Sequence, residues 1–161
     1  MIPKVHGTSN KPMQTNLRWG CDPKLANRIC NHNRHHAEYR GHFEDTLFFE
    51  EERKSASEHN PIHFHDSNTG KQLFVAPIGR TFRQFEKESK SNGWPSFRDG
   101  EVDWTHVRVL PNGEVVSLNG THLGHNIPDK KGNRYCINLL GIAGRHVYDR
   151  RWLKNIEMEI W

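Results

Sequence analysis

The stretch WTHVRVLPNGEVVSL, from Trp104 to Leu118, has the pattern of a β-hairpin. Two β-prone runs flank the tight-turn sequence Pro-Asn-Gly at 111–113. An earlier stretch, PIHFHDSNTGKQLFVAP at 61–77, has the same pattern around a Ser-Asn-Thr-Gly turn. Two hairpins in a chain of 161 residues predict a fold built mainly on antiparallel sheet.

Two helices are predicted from the residues that mark their ends. The first begins with Asp22 as N-cap and Pro23 in the first helical position, and it stops at Gly41. The second covers residues 81–92, begins with a Thr-x-x-Gln capping box and ends at a glycine. Both precede or flank the predicted strands.

The remaining elements complete an α+β fold. Residues 46–60 predict a short element followed by a loop, residues 133–144 a buried strand, and residues 149–161 a last strand. The predicted fold class is α+β, mainly antiparallel β with about six strands in two packed sheets, with N-terminal and flanking helices.

The composition excludes several classes of protein. No stretch approaches the roughly 20 apolar residues that span a bilayer, and the first 20 residues lack the apolar region of a signal peptide. The net charge of +4 is spread without a run of Lys and Arg. We therefore expect a cytoplasmic protein with neither nucleic acid nor membrane among its partners.

The chain has three cysteines, Cys21, Cys30 and Cys136. An odd, small number at wide spacing is not a disulfide framework, and free thiols fit a reducing compartment. No C-x-x-C pair is present, so the sequence shows no cysteine-based zinc site.

Cys136 lies in an apolar run, but strand alternation gives it polar neighbours. Arg134, Cys136 and Asn138 share one face of the predicted strand, while the apolar face holds Tyr135, Ile137 and Leu139. Arg134 would lie roughly 6–7 Å along the strand. A neighbouring cation lowers the pKa of a cysteine, so Cys136 is a candidate nucleophile. Without further evidence, a small buried hydrophobe is the simpler interpretation.

Three motifs, in order, resemble those of the type B methionine sulfoxide reductases, the SelR-domain family of methionine-R-sulfoxide reductases. They are GWPSF at 93–97, HLGH at 122–125 and RYCIN at 134–138. The resemblance covers about residues 62–144. It does not cover the first 60 residues or the last 15. We expect a helical extension over 1–60 packed on a methionine sulfoxide reductase B-like domain over 61–161, and the resemblance implies that the two sheets of this domain form a tent-like fold.

The resemblance implies the thiol-dependent repair of methionine R-sulfoxide, in proteins or free, with thioredoxin or another thiol reductant. Cys136 would attack the sulfoxide sulfur, release methionine and become a sulfenic acid. Trp94 would hold the S-methyl group, although a tryptophan beside proline is also an ordinary core residue. The polar side of the pocket would comprise His122, His125, Asp129, Arg134 and Asn138. His122 and His125 precede Cys136 by a loop short enough to fold back, and we expect His125, oriented by Asp129, to donate the proton.

The sequence departs from the family at its zinc site. Many members bind zinc with two C-x-x-C pairs, one of them just before a G-x-x-L-F signature. That signature is present at 70–74, but Asp66 and Thr69 occupy the two cysteine positions, and the stretch before HLGH has no cysteine either. The resemblance therefore implies a zinc-free form with no metal cofactor. The N-terminal 60 residues are a candidate to stabilise the core in place of the zinc site.

The second departure concerns the recycling of the sulfenic acid. Ser91 stands where a resolving cysteine would be expected, so Cys21 and Cys30 are the candidates. Cys21 is preferred because the N-terminus of the first helix would favour its thiolate. The alternative is direct reduction by an external thiol.

Histidine clusters leave two further alternatives open. On a helix, His32, His35 and His36 would share one face, as would His63 and His65 on a strand. Such sets could bind a metal, but a solvated polar face is the expected interpretation. A His/Cys metal site made of His122, His125 and Cys136, or a non-catalytic ligand-binding module of the same fold, would be the alternatives to a reductase.

Overall fold

Both predicted hairpins form, and the described part of the chain contains three further strands. The computed structural model describes residues 11–32 and 37–146. In chain order the strands are β1 Ile62–His65, β2 Gln72–Ala76, β3 Ser96–Phe97, β4 Val107–Val109, β5 Glu114–Ser117, β6 His122–Asn126 and β7 Tyr135–Ile137.

The strands form two antiparallel sheets. One is the β1-β2 hairpin, and the other has the strand order β3-β7-β6-β5-β4. Aromatic rings join them, since Phe97 on β3 stacks on Phe74 of β2 at 4.3 Å and meets Phe64 of β1 edge-on at 5.1 Å between centroids. The predicted α+β class with mainly antiparallel sheet is confirmed.

The motif HLGH, which the sequence did not assign to a strand, forms β6 in the middle of the larger sheet, and residues 127–134 form the loop that brings Cys136 back beside it. Gly124 explains why a strand fits there. A Cβ atom at that position would lie 2.0 Å from the carbonyl oxygen of Cys136 on β7, so only glycine allows this approach.

The helices are α1 Pro23–Asn27, α2 Phe48–Glu52 and α3 Phe82–Asn92. The capping box of α3 forms between Thr81 and Gln84, and Gly93 ends the helix with a φ of 101°. The short element predicted within 46–60 is α2. No helix in the described parts of the chain is long and apolar enough to cross a membrane.

The first helix is much shorter than predicted. It gives way to a π-helical turn at Arg28–His32, and the segment after the undescribed residues 33–36 is not helical up to Gly41. The backbone there bonds to distant residues instead: the amide of Glu38 donates to Oδ1 of Asn138 at 3.0 Å, and that of Gly41 to the carbonyl of Gly93 at 2.8 Å. Long-range hydrogen bonds thus replace the helical ones. The last predicted strand, 149–161, lies outside the described residues.

The described residues before 61 share one core with the sheets. Trp19 meets Phe48 of α2 at 4.9 Å, and Phe48 stacks on Phe64 of β1 at 5.8 Å between centroids. Further buried residues of this core are Ile29, Cys30, Phe43, Leu123 and Leu140. The N-terminal segment therefore packs directly beneath the strands that carry the three motifs.

Candidate active site

Four polar side chains form a row across one face of the larger sheet. Ser96 on β3 pairs with Cys136 on β7, Cys136 with His125 on β6, and His125 with Glu114 on β5. Directly opposed residues of antiparallel strands point to the same face, with Cβ atoms about 4.5–5.5 Å apart. His125 is therefore the cross-strand neighbour of the candidate nucleophile.

A β-bulge brings His122 to the same face. Residues three apart on a regular strand point to opposite sides, but the register shifts here, so that Val115 pairs with Gly124 and Val116 with His122. Nδ1 of His122 lies 2.7 Å from Oε2 of Glu114, and both side chains are buried. The result is a buried histidine–glutamate pair next to His125.

The sulfur of Cys136 is enclosed by hydrogen-bond donors. Nδ2 of Asn92, the last residue of α3, donates to Sγ at 2.7 Å and to Oγ of Ser96 at 2.8 Å. Arg134 lies close enough to act on the same sulfur by charge and by hydrogen bonding. Both groups would stabilise negative charge on Sγ.

The expectation of an acidic Cys136 thiol was wrong. The residue is 7% exposed, and burial raises its pKa above the usual value, although Asn92 and Arg134 act in the opposite direction. Desolvation outweighs the donors because Cys136 lies in the middle of the row and beneath Asn92. The resting sulfur is therefore a protonated thiol at neutral pH.

Asp129 does not pair with His125. Its two carboxylate oxygens each accept from the guanidinium of Arg98 at 2.9 Å, and Arg134 lies 3.8 Å away. The hydrogen bonds from Arg98 hold the pKa of Asp129 well below its usual range. His125 instead lies with Nε2 2.9 Å from the carbonyl oxygen of Asn112. The backbone carbonyl of Asn112, rather than Asp129, therefore orients His125.

Trp94 and Asn138 both contact the N-terminal segment. Nε1 of the half-buried Trp94 donates to the carbonyl of Glu38 at 3.1 Å. Asn138 is buried, accepts from the amide of Glu38 and donates to the carbonyl of Leu123 at 3.0 Å. Asn138 thus fixes the chain beside the site, whereas part of the Trp94 ring stays open to solvent.

Glu38 is a buried acid that the motifs do not predict. Its Oε1 accepts from the amide of Leu140 at 3.0 Å, and Oε2 has no hydrogen-bond partner in the described part of the chain. Burial raises the pKa of Glu38 to about 8, although the amides of Leu140 and Leu139 act against that rise. The native state therefore holds a proton on Glu38 at neutral pH.

The raised pKa of Glu38 predicts a dependence of stability on pH. Between about pH 4.5 and 8 the native state binds more protons than the unfolded state, so the free energy of unfolding falls as pH rises. The loss attributable to Glu38 is at most about 5 kcal/mol. Urea unfolding at pH 5 to 8 should show a shallower slope in Glu38→Gln than in the unmodified protein. The exposed Glu50→Gln serves as control, and an unchanged slope in Glu38→Gln would refute the assignment.

A cleft of about 870 Å³ borders the Cys136 face. Its lining includes Ser91, next to Asn92, Arg134, two residues before Cys136, and Asp129. The cations that line it are Arg80, Lys87, Arg98, Lys131 and Arg134, and the acids are Glu88, Asp99 and Asp129. Cys136, His125 and Trp94 do not line the cleft, which meets the site at Arg134 and Asp129.

Cys21 and Cys30 are free, buried thiols. Burial, together with the nearby Glu38 carboxyl, raises the pKa of Cys21 to about 12, and burial likewise raises that of Cys30 well above its usual value. The expectation that a helix N-terminus favours the Cys21 thiolate was wrong, since α1 has only five residues and desolvation dominates. Neither thiol is poised to attack a sulfenic acid.

In the family that the sequence resembles, two loops hold zinc. In this chain the corresponding loops, around Asp66 and Thr121, are connected by hydrogen bonds. Oγ1 of Thr121, just before HLGH, donates to the fully buried carboxylate of Asp66 at 3.0 Å. Nδ2 of Asn68 donates to the carbonyl of Lys11 at 2.6 Å. The N-terminal segment is thus part of this junction, and Thr69 donates to Asp66 as well.

The histidine clusters divide between two regions. His32 ends the π-helical turn, while His35 and His36 lie outside the described residues. His63 and His65 line a second cleft on another part of the surface. Within residues 11–32 and 37–146, no three His, Cys, Asp or Glu side chains are grouped as metal ligands would be.

Sequence reasoning missed Glu114, Asn92, Arg98 and Glu38. Their contacts depend on strand register and on the end of α3, which no local motif indicates. A scan of models of known protein families and a search of curated proteins both find no match to this chain.

Proposed function

We propose that this protein is a thiol-dependent peptide-methionine (R)-S-oxide reductase with Cys136 as its nucleophile. The observation that supports this most is the position of Cys136 next to His125 on one sheet face, with Asn92 and Arg134 directed at its sulfur. The proposal also rests on the resemblance of the three motifs, which contribute Trp94, His125 and Cys136 to this region.

The first step is an oxygen transfer with no net uptake or release of protons. Sγ of Cys136 attacks the sulfoxide sulfur, the S–O bond breaks, and methionine leaves as the thioether. The oxygen ends on Cys136 as a sulfenic acid, and the proton that the thiol loses replaces the one that His125 gives to the oxygen. Sulfur is oxidised in the cysteine and reduced in the substrate, so the step balances.

His125 is the proposed proton donor to the sulfoxide oxygen. Its Nε2 is held at the carbonyl of Asn112, and Nδ1 has no recorded partner in the described part of the chain. An imidazolium can donate from both nitrogens, so it can keep the Asn112 contact while Nδ1 protonates the oxygen. Asn92 and Arg134 would stabilise the sulfur as it loses its proton.

The second step requires an external thiol, because both other cysteines are buried. One thiol condenses with the Cys136 sulfenic acid to a mixed disulfide and water. A second thiol then releases Cys136 and forms the reductant's disulfide. Thioredoxin or another thiol could serve, and the cytoplasm, as a reducing compartment, would suit the three free thiols.

One observation favours a non-catalytic alternative. A buried thiol with a raised pKa suits a ligand-binding module of the same fold as well as a resting enzyme. In such a module the open part of Trp94 would contact the ligand, and serine could replace Cys136 without effect on binding.

Turnover of the two sulfoxide epimers separates these functions. The protein is incubated with dithiothreitol and a peptide that carries methionine R- or S-sulfoxide, and the reduced peptide is measured by chromatography. We expect reduction of the R epimer alone. Reduction of neither epimer by the folded protein would leave the binding module as the better account.

A further inference from the structure

The second cleft, of about 530 Å³, is lined by more basic than acidic side chains. Its lining shares no residue with the cleft beside Cys136. It brings together Arg18, Arg145 and three histidines, His63, His65 and His146, around one carboxylate, that of Glu52. None of these residues takes part in the proposed reductase chemistry.

The two arginines come from distant segments that are pinned together. The amide of Arg18 donates to the carbonyl of Ala143 at 2.8 Å. The side chain of Gln14 bonds both backbone groups of Arg145, accepting from the amide at 2.7 Å and donating to the carbonyl at 3.1 Å. The fold thus holds two like charges close enough for Arg145 to lower the pKa of Arg18, though burial is the larger cause.

The one carboxylate of the cleft is already engaged. Oε1 of Glu52 accepts from Arg18 at 3.1 Å and from Nε1 of Trp19 at 2.9 Å. Arg18 also donates to the carbonyl of His63 at 2.7 Å, whereas Arg145 uses Nε for the carbonyl of Asn16 at 2.8 Å. The terminal nitrogens of the Arg145 guanidinium have no recorded acceptor in the described residues, and they form a fork that matches an anion.

We propose that this cleft binds the phosphate group of a small organic phosphate. Guanidinium and imidazole N–H groups would bind the phosphate oxygens, with Arg145 as the principal contact. The apolar part of the lining, which includes Ala56, Pro61 and Ile62, would contact the organic part. A volume of 530 Å³ lies in the usual range for small-molecule sites and exceeds what one phosphate ion requires.

Isothermal titration calorimetry on the full chain at low salt tests this proposal. The probes are pyrophosphate, adenosine 5′-monophosphate and adenosine without phosphate. We expect both phosphates to bind and adenosine not to bind. Arg145→Gln should weaken the binding at least about tenfold, because it removes a charge-assisted, two-pronged contact. Arg83→Gln, a matched change on the exposed side of α3, should leave the binding unchanged.

The probes also distinguish the source of the phosphate. Tighter binding of the monophosphate than of pyrophosphate supports an organic ligand, whereas the reverse order would replace it with an inorganic phosphate. No binding of either phosphate, or equal binding by Arg145→Gln and Arg83→Gln, overturns the site. If Arg145→Gln does not fold, the exposed His63→Gln takes its place and should also weaken binding.

Discussion

Cys136→Ser is expected to abolish the reduction of methionine R-sulfoxide, with a loss of more than about a thousandfold. A serine hydroxyl is a far weaker nucleophile, and it cannot form the sulfenic acid through which oxygen leaves the substrate. Serine is close to cysteine in size and can still accept from Asn92, so the fold should persist. Chromatographic assay of the reduced peptide, with circular dichroism as a check of folding, measures the effect.

The matched control is a serine at a second buried cysteine, Cys21→Ser. Because Cys21 is buried and its pKa is raised, we expect turnover with dithiothreitol within about twofold of the unmodified protein. The same holds for Cys30→Ala. If either variant accumulates oxidised Cys136 and stops after one turnover, that cysteine is the resolving thiol and direct reduction by an external thiol is wrong.

His125→Asn is expected to slow the first step by about 10²–10⁴-fold. Asparagine can keep a hydrogen bond to the carbonyl of Asn112 but cannot supply a proton to the sulfoxide oxygen. The measurement is the rate of methionine formation in a single turnover, where recycling plays no part.

A histidine far from the sulfur provides the comparison for His125. His59 is exposed on a turn near residue 60, and His59→Asn should leave the single-turnover rate unchanged. An undiminished rate in His125→Asn would exclude it as the proton donor. The buried pair of His122 and Glu114 would then be the next candidate.

The parts of the fold that local residues determine could be predicted from the sequence. Each hairpin has its turn residues in place, and α3 has both its capping box and its terminal glycine. The prediction of a long first helix was wrong because the amides of Glu38 and Gly41 donate to Asn138 and Gly93, some 50 to 100 positions further on. No local pattern reveals such partners.

The candidate site could likewise be predicted only in part. Motifs placed Cys136 and His125 together, and the strand pairing puts them side by side. The ionisation of Cys136 could not be predicted, since it depends on burial beneath Asn92 as well as on the charge of Arg134. The predicted role of Asp129 in orienting His125 was wrong for a related reason, because both of its carboxylate oxygens accept hydrogen bonds from Arg98. Strand register and burial, rather than residue type, decide these properties.

The most direct test of the proposed mechanism is one turnover without any reductant. The protein is mixed with a peptide carrying methionine R-sulfoxide and a sulfenic-acid trap, and the modified residue is located by peptide mass spectrometry. The mechanism predicts one reduced methionine per protein and one trapped sulfenic acid, at Cys136. Reduced methionine without modification at Cys136, or no reduction by the folded protein, would contradict it.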